Sequence, residues 1–229
     1  FQGLNTQDSS VSLEAGYATV ANNCVIDKFG RIGARKGWTL SHAANNDLST
    51  ADVKAIGELI DNAGNSYIIA AGNNKLFKLV GTTLTTLTYG GGGTAPTITD
   101  SNWQMAPLNG VLYLYQAGHD PLVFDPAVST TTFKRVSEKT GYVATVSSNN
   151  TVISAYGRTW SANNATAKST IQFSDLLSGH VLSTGTAGTL DVSQVWPNGA
   201  DEIISLAAHN NFLIVFGRRQ ILIYSNATD

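Results

Sequence analysis

Six carboxylates, Glu58, Asp61, Asp120, Asp125, Asp175 and Asp201, are the side chains of this sequence best suited to chemistry. Two of them facing each other across a sugar would supply the acid and the base or nucleophile of glycoside hydrolysis. Their surroundings argue against that role. Asp61 and Asp120 lie in turn or loop stretches, where Asp commonly bonds its own backbone, and no acid stands at the place equivalent to Glu58 in the next stretch of similar pattern. His42, His119, His180 and His209 are scattered, without a second His or a Cys at ligand spacing. Cys24 is the single cysteine, which rules out an intramolecular disulfide framework. The Gly90-Gly91-Gly92-Gly93 run lacks the Lys-Ser/Thr of a phosphate-binding loop and opens no helical pattern. No Gly-x-Ser-x-Gly elbow presents a nucleophilic serine. The expectation is a chain that is not an enzyme and calls for no cofactor or metal.

Trp38, Trp103, Trp160 and Trp196 could stack on sugar rings, but Trp103 and Trp160 fall within a repeating apolar pattern where packing is the expected task. The stretch Ser154 to Trp160 resembles the sialidase Asp-box, Ser-x-Asp-x-Gly-x-x-Trp, yet lacks its Asp and is one residue short. Basic residues cluster modestly: Lys28, Arg31, Arg35 and Lys36 share one hairpin, and Arg218-Arg219 occupy a short loop. With 14 Lys and Arg against 16 Asp and Glu, the formal charge is −2. That balance, without interleaved aromatics, argues against sequence-specific nucleic-acid recognition and leaves a solvated face, interface ion pairs or a surface beside a phosphate backbone. No apolar run approaches the roughly 18 residues of a membrane span, so no membrane segment is expected.

The elements that must position these residues are mainly β. Only 13% of the residues are charged, about half the globular norm of roughly 25%, while 42% are hydrophobic. Short apolar runs rich in β-branched residues alternate with Asn and Gly turns, and no long 3.6-residue period appears. Hairpins are expected at 58–71 through Asp61–Asn65, at 105–115 through Asn109-Gly110, and at 203–216 through His209-Asn210-Asn211. Each is followed by a further apolar run, and a degenerate fourth copy spans Thr151 to Ser174. Aligned on Tyr67, Val111, Thr159 and Phe212, the units recur every 45 to 55 residues or so, the range of propeller blades. The fold class read here is mainly β, with β-propeller-type repeats of antiparallel sheets over residues 51–229; a β-sandwich or solenoid is the rival. Residues 1–50 do not repeat and form an N-terminal segment for packing or assembly. It should hold a short helix around Tyr17–Asn22 and a hairpin of 24–27 with 32–35, turning at Gly30. Gly90–Gly93 and Leu177–Val192 read as connectors, the first either flexible or closely packed. Phe1 at the start, and a strand close to the end, read as part of a longer chain.

The opening residues carry a resemblance. Gly3-Leu4-Asn5-Thr6, Gly16-Tyr17-Ala18, Ala21-Asn22-Asn23-Cys24-Val25-Ile26-Asp27, Gly30-Arg31-Ile32 and Arg35-Lys36-Gly37-Trp38 together resemble the N-terminal signature of the tail nozzle proteins (tail tubular protein B) of short-tailed bacteriophages. The resemblance implies a structural virion protein, located in the tail, whose propeller blades follow this segment. It implies a ring of identical copies, six in the family, below the tail adaptor and portal and beside tail fibre or needle proteins. Double-stranded DNA would pass through it non-specifically during ejection. Lys28, Arg31, Arg35, Lys36, Arg218 and Arg219 are then the assembly or lumen candidates. The alternative, from another class, is a carbohydrate-binding or glycan-hydrolysing propeller at the host surface; a generic interaction scaffold is a third. Exposed Trp beside acids in one pocket would favour sugar handling, whereas buried Trp would favour assembly.

Overall fold

Gly adopts left-handed backbone without strain and Asn tolerates it, so pairs of these residues decide where the chain reverses. Asn73-Asn74 (φ 47° and 55°), Asn109-Gly110 (48° and 73°) and Asn210-Asn211 (46° and 64°) each close a two-residue hairpin. Tyr156-Gly157 (53° and 72°) does the same with an aromatic residue in the first position.

The computed structural model describes residues 2–5, 7–9, 11–20, 22–29, 31–37, 39, 45–99, 102–116, 118–143 and 148–225. Among these residues there is no α-helix and one 3₁₀ turn, Val136–Glu138. The chain forms two compact units, Phe1–Ser41 and His42–Asp229. The stretch around Leu48 belongs with the second unit, since Leu48 is buried against Ala70, Phe77 and Leu84.

In the first unit, β1 (Gly3–Leu4) pairs in parallel with β2 (Tyr17–Ala18), and β3 (Cys24–Ile26) forms an antiparallel hairpin with β4 (Ile32–Ala34). Where a helix was expected around Tyr17–Asn22, the described residues hold none, and Tyr17–Ala18 is a strand. A run this short cannot nucleate a helix alone, and its carbonyls find partners in the strand opposite: Gly16 accepts from the Gln2 N–H (2.7 Å) and Ala18 from the Asn5 N–H (2.9 Å). The expected hairpin is present. Gly30, Trp38 and His42 lie outside the described residues. The hairpin turn is fastened by Asp27, whose Oδ1 accepts the N–H groups of Phe29 (2.8 Å) and Arg31 (3.0 Å).

The second unit is a succession of antiparallel meanders. The first sheet is β5 (Val53–Ile60), β6 (Ser66–Gly72), β7 (Lys75–Val80) and β8 (Thr83–Thr86). A short strand, β9 (Thr88–Tyr89), then leaves it to pair in parallel with the outer strand of the next sheet. That second sheet contains β10 (Gln104–Leu108), β11 (Val111–Tyr115), β12 (Leu122–Phe124) and β13 (Thr132–Arg135). The third is β14 (Asn149–Ala155), β15 (Arg158–Asn164), β16 (Thr170–Phe173) and β17 (Gly188–Asp191), and the fourth is β18 (Ile203–His209), β19 (Phe212–Gly217) and β20 (Ile221–Tyr224). The three hairpins read from the sequence are all present. The fourth strands β8, β13 and β17 are not what the sequence pattern led us to expect, and β17 lies inside the supposed connector Leu177–Val192. Each carries a single large apolar residue, Leu84, Phe133 or Leu190, so alternation cannot be seen in it. Gly90 and Gly91 are closely packed: a Cβ on Gly90 would stand 2.9 Å from Thr132, and one on Gly91 2.3 Å from the Glu138 carboxylate.

Successive sheets stack through their first strands, β5 on β10, β10 on β14 and β14 on β18. Between the first and second sheets lie Leu59, Ile69, Leu76, Leu112, Leu114, Leu122 and Phe124, all with no solvent exposure. Trp160, Ile171, Ile203, Leu206, Leu213 and Val215 fill the space between the third and fourth. The layer between the second and third mixes Tyr113, Tyr115, Val123 and Val152 with polar groups. There Gln104 Oε1 accepts from the Thr151 hydroxyl and the Val152 N–H, both at 2.9 Å, and Asn149 Nδ2 donates to Ser161 Oγ at 2.8 Å.

Gly179 presses its backbone on the ring of Tyr113. A Cβ there would come within 2.6 Å of Tyr113 Cζ and 2.9 Å of Thr159 Cγ2, both buried. Gly179→Ala is therefore expected to lower stability by about 1–3 kcal/mol, the range for overpacking a dense core. Gly92→Ala, which would meet nothing within 4 Å, is the control. Urea unfolding of both checks this: a difference below the error of the two curves would show that this contact relaxes freely.

Candidate functional site

The basic hairpin of the first unit is built around an exposed aromatic ring. Phe29, 70% exposed, sits at the turn with Lys28 Nζ 5.1 Å and the Arg31 guanidinium 5.3 Å from its centroid. Arg31 Nε donates to Asp27 Oδ2 at 2.9 Å, and the hydrogen bonds from Arg31 and Phe29 hold the Asp27 carboxyl below its usual range. Arg35 and Lys36 follow β4 and are exposed. Val25 and Ile32, 51% and 47% exposed, also lie on this hairpin, so it offers apolar and cationic surface side by side. No described residue of the first unit is buried.

The other pair of candidates is placed in the turn between β19 and β20. Arg218 pairs with Glu202, which also holds Lys168 Nζ at 2.7 Å. Arg219 donates its backbone N–H to Asp201 Oδ2 (2.8 Å) and its guanidinium reaches the Ala200 carbonyl (3.3 Å). The hydrogen bond from Lys168, then the positive charges of Arg218 and Lys168, keep Glu202 in its charged form. Around Asp201 burial pushes the pKa up, but the N–H groups of Arg219, Glu202 and Arg218 together outweigh it and the net shift is downward. Arg218 and Arg219 thus belong to a charged cluster with Lys168, Asp201 and Glu202. Lys168, absent from the sequence-derived candidates, belongs to it through folding alone.

Each candidate carboxylate is occupied by its own neighbours. Asp61 accepts from the N–H groups of Ala63 (2.9 Å) and Asn65 (2.8 Å) and from Asn65 Nδ2 (2.9 Å). Asp175 takes the Thr186 N–H (2.9 Å) and hydroxyl (2.7 Å), Glu58 accepts the Ser66 hydroxyl (2.9 Å), Asp120 lies 3.6 Å from Arg135, and Asp125 pairs with the half-withdrawn Lys139. Hydrogen bonds depress Asp61, chiefly those from Asn65, and Asp175, chiefly those from Thr186. A general acid needs the opposite shift. Among the described residues no three His, Cys, Asp or Glu side chains gather at metal-binding distance.

Trp160 and Trp196 are 6% exposed, and Trp103 is half-buried with its Nε1 donating to the Thr99 carbonyl at 2.7 Å. The Asp-box-like stretch forms the β14–β15 hairpin, in which Trp160 Nε1 donates to the Ala155 carbonyl at 3.0 Å. Of the described histidines, His180 is the one drawn into a polar cluster: its Nδ1 lies 3.2 Å from the Tyr113 hydroxyl, and burial followed by the Lys139 charge lowers its pKa.

One feature that no residue pattern announced is a line of links between neighbouring hairpin tips. Asn62 Nδ2 reaches the Asn109 carbonyl (3.5 Å), Asn109 Nδ2 donates to the Leu177 carbonyl (3.2 Å), Leu177 donates its N–H to Gly157 (2.7 Å), and the Tyr156 hydroxyl donates to Phe212 (2.8 Å). Among the described residues no helix is long and apolar enough to cross a membrane. No protein-family model matches the chain, and no curated protein does.

Lowered carboxylate pKa values stabilise the fold above their unfolded-state values and lose that effect as pH falls through the folded ones. Stability should hold steady above about pH 7, begin to fall below about pH 6.5 as the unfolded chain protonates His180, whose folded pKa is lowered, and decline further from about pH 4 downward with the carboxylates. In Asp61→Asn/Asp175→Asn it should be lower at neutral pH and decline less steeply in acid. Thermal melting between about pH 7 and 2.5 checks both; parallel profiles would mean the two turns contribute nothing that depends on charge.

Proposed function

We propose that the chain is a structural subunit of a phage tail, the nozzle ring of a short-tailed bacteriophage, and that its stacked meanders are propeller blades. The observation that carries this reading is the first unit: it bears the residues of the nozzle resemblance, has no buried residue among those described, and displays Leu4, Val11, Val20, Val25, Phe29 and Ile32 to solvent. A segment that cannot bury its own apolar side chains gains stability from a partner's surface, as an assembly arm does. Phe29 between Lys28 and Arg31 has the amphipathic make-up of an interface anchor.

The second unit supports the same reading. Its meanders recur at blade-like spacing and stack in sequence order through their first strands. Its buried tryptophans and engaged carboxylates favour assembly over sugar handling. A formal charge of −2 suits a channel wall, because cations neutralising many phosphates would hold DNA and brake its passage. Arg218 and Lys168, already shared with Glu202, leave little free positive charge there. In this reading identical copies close a ring, six in the family, docked on adaptor and portal and flanked by fibre or needle proteins; the protein works in the virion tail without catalysis or cofactor.

Light scattering of the purified chain, alone and with a portal–adaptor complex, tests the reading. A ring-sized mass, alone or on the adaptor, is expected. A chain indifferent to the adaptor overturns it. In Lys28→Ala/Arg31→Ala/Arg35→Ala/Lys36→Ala, binding to the adaptor should fall at least tenfold while the melting temperature stays within a degree or two of the parent's, since exposed substitutions of this kind change stability by about 0.5 kcal/mol or less.

A further inference from the structure

The connection between β16 and β17 does not pass directly from one strand to the next. Residues 175–182 leave the third sheet and lie back on the second as a strap. Near its start, the Leu177 N–H donates to the Gly157 carbonyl (2.7 Å) and the Leu177 carbonyl accepts from Asn109 Nδ2 (3.2 Å), so it is tied to two hairpin tips. Its far end pairs in parallel with the stretch that follows the 3₁₀ turn, through the Val143 N–H on the His180 carbonyl (3.3 Å) and the Leu182 N–H on the Val143 carbonyl (3.1 Å). Between these ties Gly179 presses on Tyr113 and Thr159. The strap thus holds the second sheet to the third while burying little of itself: of residues 175–182 only Gly179 and Leu182 are buried. Leu177 also sits at φ 57°, a left-handed backbone that a leucine adopts only under constraint. A segment held by a few hydrogen bonds rather than by apolar burial is the kind that opens before the rest of the fold.

His180 stands at the centre of this hold. Its Nδ1 lies 3.2 Å from the Tyr113 hydroxyl of β11, and its Nε2 faces Gly141, where a Cβ would stand 3.4 Å away. The charges that act on it come from two other elements, Lys139 after the 3₁₀ turn and Asp125 just after β12, which are paired with each other and largely buried. Tyr113 is neutral. On the strap itself, Asp175 is engaged by Thr186 and lies near the Arg158 charge of β15, so it stays ionised well below neutral pH. A neutral imidazole suits this niche, since a ring nitrogen can accept from the Tyr113 hydroxyl and no charge is added beside Lys139. Once protonated, both ring nitrogens are donors, and a second cation stands in a half-buried place where the Asp125 carboxylate is already taken by Lys139.

We infer that residues 175–182 are a pH-sensitive clasp, closed over Tyr113 while His180 is neutral and released when His180 takes up a proton beside Lys139. Burial, then the Lys139 charge, lower the pKa of His180 in the closed clasp against a smaller opposing pull from Asp125. In the open clasp the ring titrates near its ordinary value, about 6.5. The closed form therefore has its full advantage above that value and loses it as pH falls below it. The carboxylates titrate lower, near about pH 4, so among the strap and its contacts mild acid acts on His180. The clasp is internal to the second unit and does not depend on what the chain assembles with.

Hydrogen–deuterium exchange of the purified chain at about pH 7.5 and about pH 5, corrected for the intrinsic pH dependence of exchange, reads the clasp directly. Between the two, the amides of Val143, Leu177 and Leu182 should lose protection about tenfold while those of β11 and β15 keep theirs. In His180→Gln, whose side chain hydrogen-bonds without titrating, their protection should be the same at both pH values. In Lys139→Met the Asp125 carboxylate is left to favour the charged ring, so the loss in acid should be smaller than the parent's. Protection unchanged by acid in the parent, an equal loss in His180→Gln, or a loss shared by β11 and β15 overturns the proposal. If His180→Gln does not fold, a loss in Lys139→Met as large as the parent's overturns it instead.

Discussion

A meander of antiparallel strands with apolar side chains on both faces cannot bury itself, and this one constraint shapes the whole second unit. The first sheet turns Leu59, Ile69 and Leu76 to one side and Ala70, Phe77 and Leu84 to the other. The remedy is another sheet against each face, and the chain supplies the next from the residues that follow. Stacking therefore runs in sequence order, and the first strands, β5, β10, β14 and β18, become the edge along which successive sheets meet. Hairpin tips come into register as a result, which is why Asn62, Asn109 and Tyr156 can bridge from one tip to the next.

The layers are not chemically alike. Between the first and second sheets the filling is aliphatic and aromatic, tolerant of sliding until side chains interlock. Between the second and third, Thr159, Ser161, Gln172 and Ser174 are buried, and the Ser174 hydroxyl accepts the Thr159 N–H at 3.0 Å. Buried polar groups stabilise only when they are paired, so this seam fixes one register where an oily layer would permit several. Tyr113 and Tyr115 lie in it, and burial raises the pKa of both, Tyr115 to about 12, leaving their hydroxyls neutral; that of Tyr113 meets His180 Nδ1 at 3.2 Å.

How much of this was legible in the sequence follows from which interactions are local. The Asn-Gly and Asn-Asn hairpins were readable because left-handed backbone restricts residue type at the turn itself. The strands on either side were readable from apolar alternation. Strands β8, β13 and β17 were not, because an outer strand meets apolar neighbours on few sides, and its alternation dissolves into single residues such as Leu84, Phe133 and Leu190. The helix expected near Tyr17 failed because a parallel partner, Gly3–Leu4, competes for the same backbone groups. Among the site residues, Lys28 and Arg31 were neighbours by hairpin geometry, whereas Lys168 joins Arg218 through Glu202 across a sheet boundary that no spacing reveals.

The excursion of β9 to the outer edge of the second sheet sets an order of events on a nascent chain. Each meander is local and can form as soon as its own strands are made, but Thr88 and Tyr89 have no edge to join until Thr132 and Phe133 have been synthesised. The first sheet must wait with this tail undocked, and its closure reports that the second sheet is complete. Once docked, the Gly90 N–H on the Phe133 carbonyl (2.9 Å) and the Thr88 N–H on the Thr131 carbonyl (3.1 Å) make the pair a latch. The tail of the first sheet is then tied to the outer edge of the second, so that edge cannot open without breaking the pairing.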